Sequence, residues 1–201
     1  MKSTHTLVPD FSVALQGRRA HRPLELLHAA HALAMQAHWH QTRKDGVIPQ
    51  ITHPLRVQGL LARCGVRDVE VHAAGLLHDA LEDNPGEPGQ RLLHAMARSL
   101  PQGVIETVSA LTDPPGLTTD VRKALQMERL AQAPWAVQVV KLADVVASFQ
   151  EGPAPDWDAQ KKTAYVRQRT DLVRGVLSPA CGRLRVLFEQ ALRQAVWGGA
   201  A

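Results

Sequence analysis

The sequence predicts an all-α domain, and three observations lead there. Apolar residues recur at helical spacing through most of the chain, and no stretch reads as a strand. Apolar content is 45% while aromatics make up only 4%, so the core is built from Leu, Val and Ala, a composition suited to helix on helix. Pro and Gly fall between the periodic stretches and divide them into helix-sized lengths. At 201 residues the chain is most simply one domain, large enough to bury roughly 70% of its unfolded surface.

Residues 1–22 lack a clear period and read as an amino-terminal extension, with the domain spanning 23–197. Pro23 suits the first turn of a helix. Leu24, Leu27, Ala30, Ala34 and His38 then mark one face of a helix running to about Gln41. Arg43-Lys44-Asp45-Gly46 breaks the pattern as a turn. Thr52-His53-Pro54 enters a second helix that Gly65 ends. Asp68 caps a third, whose spacing carries on through His78-Asp79 to Glu82-Asp83, so that His78 with Glu82 and Asp79 with Asp83 share faces four residues apart. Asn84 through Gly89 is a break. Further helices cover about Gln90–Arg98, Pro101–Leu111 and Thr118–Leu130. Pro134 opens a helix to Phe149 that is apolar nearly all round, the mark of a central helix. Two last helices span about Asp158–Leu177 and Pro179–Trp197, the second capped by Ser178 and placed either to cover the core or to pair with a second chain.

Composition narrows the function. The net charge of +4 comes from 23 basic and 19 acidic groups, enough to steer a small anion. The basic residues are scattered, without the long block or aromatic interleaving of a nucleic-acid surface, so nucleic acid is not an expected partner. No run reaches the 18 apolar residues of a membrane span, and the amino terminus lacks the apolar core of a signal peptide, so a cytoplasmic protein with no membrane partner is expected. Cys64 and Cys181 sit in apolar helical surroundings and read as reduced packing residues. A monomer and a homodimer both fit.

The chemistry is concentrated in a few places. His53 begins one helix, His78 and Asp79 lie near the end of another, and Asp144 lies inside the apolar central one. Imidazole with carboxylate suits a first-row divalent ion such as Mn²⁺, Fe²⁺, Co²⁺ or Zn²⁺, and only a folded bundle brings these residues together. A carboxylate within so apolar a helix as that of Asp144 needs a partner. Arg43 and Lys44, on a turn just past a helix end, can point at a ligand from outside the core.

These motifs resemble the HD phosphohydrolase superfamily, and within it the guanosine-tetraphosphate hydrolases of the stringent response, both the hydrolase domains of bifunctional enzymes and the single-domain members. The resemblance rests on His38, Gln41, Arg43-Lys44, Gly46, Pro49, Ile51, His53-Pro54, Leu76-Leu77-His78-Asp79, Glu82-Asp83 and Lys141-Leu142-Ala143-Asp144, and covers about residues 24–175. It implies an HD-type helical bundle in which His53, His78, Asp79 and Asp144 hold one metal, usually manganese. It also implies that Glu82 and Asp83 are catalytic, orienting or deprotonating water, and that the reaction removes the 3′-pyrophosphate of a nucleotide alarmone. Arg43 and Lys44 would meet phosphates or the base. Lys141, three residues from Asp144, would bind phosphate or pair with a carboxylate, and Arg122 and Lys123 would serve the polyphosphate end. His38 would hydrogen-bond beside the metal residues or pack on the first helix. A stand-alone hydrolase, opposing a synthetase encoded elsewhere, is the expected arrangement.

The sequence departs from the family pattern beside the metal set. Ser148 stands where the family has a nucleotide-holding asparagine, Val145 where it has a basic residue, and Gln50 where it has tyrosine. A serine cannot reproduce an amide's donor–acceptor pair. An adenosine alarmone, the 2′-phosphate of NADPH or a dNTP therefore stays open as substrate, as does nucleotide binding without turnover.

Overall fold

The computed structural model describes residues 22–114 and 116–194, the side chains of Thr119 and Asp120 excepted. Its elements are helical: α1 (Pro23–Ala37), α2 (Thr52–Arg63), α3 (Val69–Leu77), α4 (Glu87–Ser99), α5 (Gln102–Leu111), α6 (Thr119–Gln132), α7 (Trp135–Glu151), α8 (Ala159–Leu172) continuing into a π-helical turn (Val173–Leu177), and α9 (Gly182–Gln194). Among the described residues the only β pairing is an isolated bridge between Thr42 and Pro49. Apart from Arg22, the expected extension lies outside the described residues, as does the end of the last helix with Trp197.

The expected central helix is α7. From Val137 to Phe149 nearly every residue is buried, including Lys141 and Asp144. Helices α2, α3, α5 and α9 pack around it, and α1 closes over α3 and α4. The helix α9 covers the core, burying Leu184, Phe188 and Ala191, with Phe188 edge-on to Phe149 at 5.1 Å. Gly152, at φ +86°, ends α7 in a conformation glycine adopts without strain. Cys64 and Cys181 are both unbonded thiols. No helix among the described residues is long and apolar enough to cross a membrane.

Several boundaries differ from the expected ones. Helix α1 stops at Ala37 rather than Gln41, because the Ala37 carbonyl accepts a hydrogen bond from Asn84 Nδ2 at 3.2 Å. Helix α3 stops at Leu77, which removes the helical register expected for Glu82 and Asp83. Helix α4 starts at Glu87, with Pro88 in its first turn. Helix α9 starts at Gly182, because Ser178 Oγ turns back to the Val173 carbonyl (2.9 Å) and closes the π-helical turn instead of capping α9.

Candidate metal centre

Three elements converge on one point. His53 is the second residue of α2, His78 comes directly after the last residue of α3, and Asp144 is in the middle of α7. All three are buried, and one ligand atom from each lies within 4.8 Å of the others. His53 Nε2 is 3.1 Å from Asp144 Oδ1, and His78 Nε2 is 3.8 Å from the same oxygen. Asp79 completes the group, its Oδ2 being 3.0 Å from His78 Nε2 and 3.7 Å from His53 Nε2.

Both imidazoles are turned to present Nε2. His78 Nδ1 donates to the Gly75 carbonyl at 2.9 Å, and His53 Nδ1 donates to Glu151 Oε1 at 3.0 Å. His78 Nε2 is then buried with no hydrogen-bond partner, facing two carboxylates and a second imidazole. That orphaned nitrogen, in a buried set of two imidazoles and a carboxylate with Asp79 beside it, fits a divalent cation. The electrostatics agree. Burial alone would lower the His78 pKa, yet Asp79 and Asp144 outweigh it and raise it from 6.5 to about 10. Burial would likewise raise the Asp144 pKa, but Lys141 and the two histidines hold it well below the usual carboxylate range. A divalent cation held by these residues would stand in place of a proton on the imidazole.

Glu82 and Asp83 lie in a run of turns, not on a helix. Asp83 N–H donates to the Asp79 carbonyl at 2.9 Å, and Asn84 Nδ2 pins the run to Ala80 O (2.9 Å) as well as to Ala37. The two acids consequently part. Asp83 accepts from Gln50 Nε2 at 3.0 Å and lines the cavity that contains His53 and Asp79. Glu82 is exposed, near enough to Asp79, Lys141, Asp113 and Arg122 to feel their charges; partial desolvation, followed by the charge of Asp79, raises its pKa above 4.5 against the pull of Lys141. His38 packs at the end of α1, where its Nδ1 donates to Gln41 Oε1 at 2.6 Å and lies 3.8 Å from Asp83.

The basic candidates distribute around this centre. Lys141 Nζ pairs with Asp144 Oδ2 at 2.9 Å, and Ser148 Oγ is 3.4 Å from Asp144 Oδ1. Arg43 donates to Gln50 Oε1 (3.1 Å) and to Glu151 Oε2, while Lys44 Nζ lies 4.7 Å over the Trp157 ring. Arg43 and Lys44 sit on a strap closed by the Thr42–Pro49 bridge and by Arg43 N–H to Ile48 O at 2.7 Å. Lys123 is half-buried on α6, and no described contact joins it to the cluster. Val145 is buried in the core, so its position gives the site no charge.

Two cavities of about 420 Å³ each meet at Arg43, Lys44 and Ser148. The inner one reaches His53, Asp79 and Asp83. The outer one runs between Arg56, Glu151 and an aromatic wall of Trp157 and Tyr165, whose rings are 5.1 Å apart. Glu151 was not among the residues the sequence nominated. Glu151 had a signal: Lys141, Asp144, Ser148 and Glu151 follow 3-4-3 spacing, a polar stripe along a largely apolar helix.

The HD domain family matches residues 30–172, and the chain belongs to that family: it is a metal-dependent phosphohydrolase with a buried His-His-Asp centre. It is related to hydrolases of the MESH1 and SpoT type. Over 156 residues it is 33% identical to the guanosine-3′,5′-bis(diphosphate) 3′-pyrophosphohydrolase MESH1 of Xenopus tropicalis, covering 75% of this chain and 84% of that one. Human MESH1 is 31% identical over 157 residues, with 76% and 84% covered. A 62-residue stretch is 44% identical to the bifunctional (p)ppGpp synthase/hydrolase SpoT of Escherichia coli, 31% of this chain and 8% of SpoT. Among solved structures, a metazoan ortholog of SpoT that hydrolyses ppGpp has the same fold, with a TM-score of 0.74 at 24% identity over 85% of this chain and 94% of that one.

Proposed function

We propose that the protein is a manganese-dependent hydrolase that removes the 3′-pyrophosphate from guanosine tetra- or pentaphosphate. The observation that carries this reading is the buried cluster of His53, His78 and Asp144, with half-buried Asp79 beside it, opening onto a cleft lined by Arg43 and Lys44, in a chain related to guanosine-3′,5′-bis(diphosphate) 3′-pyrophosphohydrolases. A divalent cation in such a centre lowers the pKa of water and polarises a phosphoryl oxygen. The chain's own residues would do the rest. Glu82, whose raised pKa suits a general base, would take the proton of the attacking water. Water oxygen would bond to the phosphorus attached at the 3′ position, the bond to the 3′ oxygen would break, and that oxygen would leave as a hydroxyl. Lys141 and Arg122, on the Glu82 side, would neutralise the departing pyrophosphate. Arg43 and Lys44 would meet the nucleotide where the two cavities join, and Asp83, through Gln50, would keep the strap in register with the metal side.

One observation favours a second reading, a different nucleotide substrate. Ser148 opens onto both cavities with a hydroxyl, and Val145 is withdrawn into the core, so the contacts expected of an asparagine and a basic residue are missing. The deciding experiment incubates purified protein and Mn²⁺ with ppGpp, pppApp, NADPH and dNTPs separately. The first reading predicts pyrophosphate and guanosine diphosphate from ppGpp. Orthophosphate release, or turnover confined to another nucleotide, would replace it; binding without turnover of any would make the domain a sensor.

A further inference from the structure

Glu151 occupies a poor place for a carboxylate. It is the last residue of α7, where the helix dipole disfavours negative charge, and its side chain is only 16% exposed. Burial of that kind is tolerated only when the charge is partnered, and here both oxygens are engaged. Oε1 accepts from His53 Nδ1 at 3.0 Å and lies 3.6 Å from Arg56 Nε, and Oε2 accepts from Arg43 Nη2. The two metal-facing histidines are thus steered differently. His78 is fixed by a backbone carbonyl of its own helix, whereas His53 depends on a side chain 98 residues away. Arg43 is also held by Gln50, so its guanidinium stands at the join of the two cavities with a carboxylate behind it.

We propose that Glu151 is the positioning residue that ties the anion-binding strap to the metal site, one oxygen fixing His53 with Nε2 toward Asp144 and the other holding Arg43 at the passage between the cavities. This deepens the metal-centre reading and rests on it. A carboxylate behind a ligating imidazole orients the ring and raises its basicity, and loss of such partners typically weakens metal binding about 10–100-fold. A carboxylate behind an arginine presets the fork that grips a phosphate.

Two substitutions separate these roles. In Glu151→Gln the amide oxygen still accepts from His53 Nδ1–H, but the charge that holds Arg43 is gone. Glu151→Ala removes both functions. In titrations with Mn²⁺ alone, Glu151→Ala is expected to bind about 10–100-fold more weakly than wild type and Glu151→Gln to stay within about threefold. With ppGpp, Glu151→Gln is expected to raise KM about tenfold, and in an Arg43→Met background the same change should alter KM by less than about twofold. Unchanged Mn²⁺ affinity in Glu151→Ala, or equal metal loss in both variants, would overturn the His53 half. Additive KM effects with Arg43→Met would overturn the Arg43 half. Should wild type leave ppGpp intact while the Mn²⁺ titrations behave as expected, the substrate assignment fails, the His53 half stands, and the Arg43 half is read with whichever nucleotide wild type does turn over.

Discussion

Asp144 is the carboxylate around which the other site residues are arranged. An unpaired charge inside a helix as apolar as α7 costs several kcal/mol, and here Lys141, His53 and Ser148 all turn toward it. Asp144→Ala is expected to abolish both Mn²⁺ binding and turnover. Glu82 makes the opposite prediction, since it flanks the centre on the Lys141 side without belonging to the buried cluster. Glu82→Ala should keep its metal while losing about 10²–10⁴-fold in turnover; metal analysis beside a rate assay checks both, and a large metal loss would make Glu82 a ligand. The four metal candidates were legible in the sequence only as a set, through an upstream His-Pro, an adjacent His-Asp pair, an acid inside an apolar helix and the family resemblance that joins them. Glu151 was not, because at the end of a helix beside Gly152 a glutamate looks solvated until the fold places His53 and Arg43 against it.

The segment that the sequence misplaced runs from His78 to Asp83. Helical spacing set Glu82 one turn above His78, but α3 ends at Leu77 because the Asn84 amide reaches across to Ala37 and Gln41 Nε2 holds the Asp83 carbonyl at 3.0 Å. Periodicity in the segment itself carries no record of a partner more than 40 residues away. The central helix, by contrast, was visible, since burial on every side writes itself into every residue. Gly89 offers a test of the turn. A Cβ there would meet the Asn84 carbonyl oxygen at 2.3 Å, a backbone atom with little room to move. Gly89→Ala should therefore displace the acidic turn, lowering Tm by several degrees and turnover more than Mn²⁺ affinity, as thermal denaturation and metal titration would report. A variant with unchanged Tm and rate would show that the turn is not held there.

At the scale of the molecule, the centre joins α2, α7 and the end of α3, elements far apart in sequence, so a cation bound there ties the fold together. Ligand present at a hundred times its Kd adds about 2.7 kcal/mol to stability. For a chain of this length that raises Tm by about 5–10 °C. Mn²⁺ should produce this shift in wild type and in Glu82→Ala, and no shift in Asp144→Ala. The all-helical architecture was legible from composition and period, whereas the two-chambered cleft was not, because its walls come from the strap, the end of α7 and the loop to α8 meeting in space. The most direct test of the central claim is anomalous diffraction from Mn²⁺-soaked crystals. One peak about 2.0–2.3 Å from His53 Nε2, His78 Nε2 and carboxylate oxygens of Asp79 and Asp144 is the result expected. No peak among these four, or a peak that leaves Asp144 out, would contradict it.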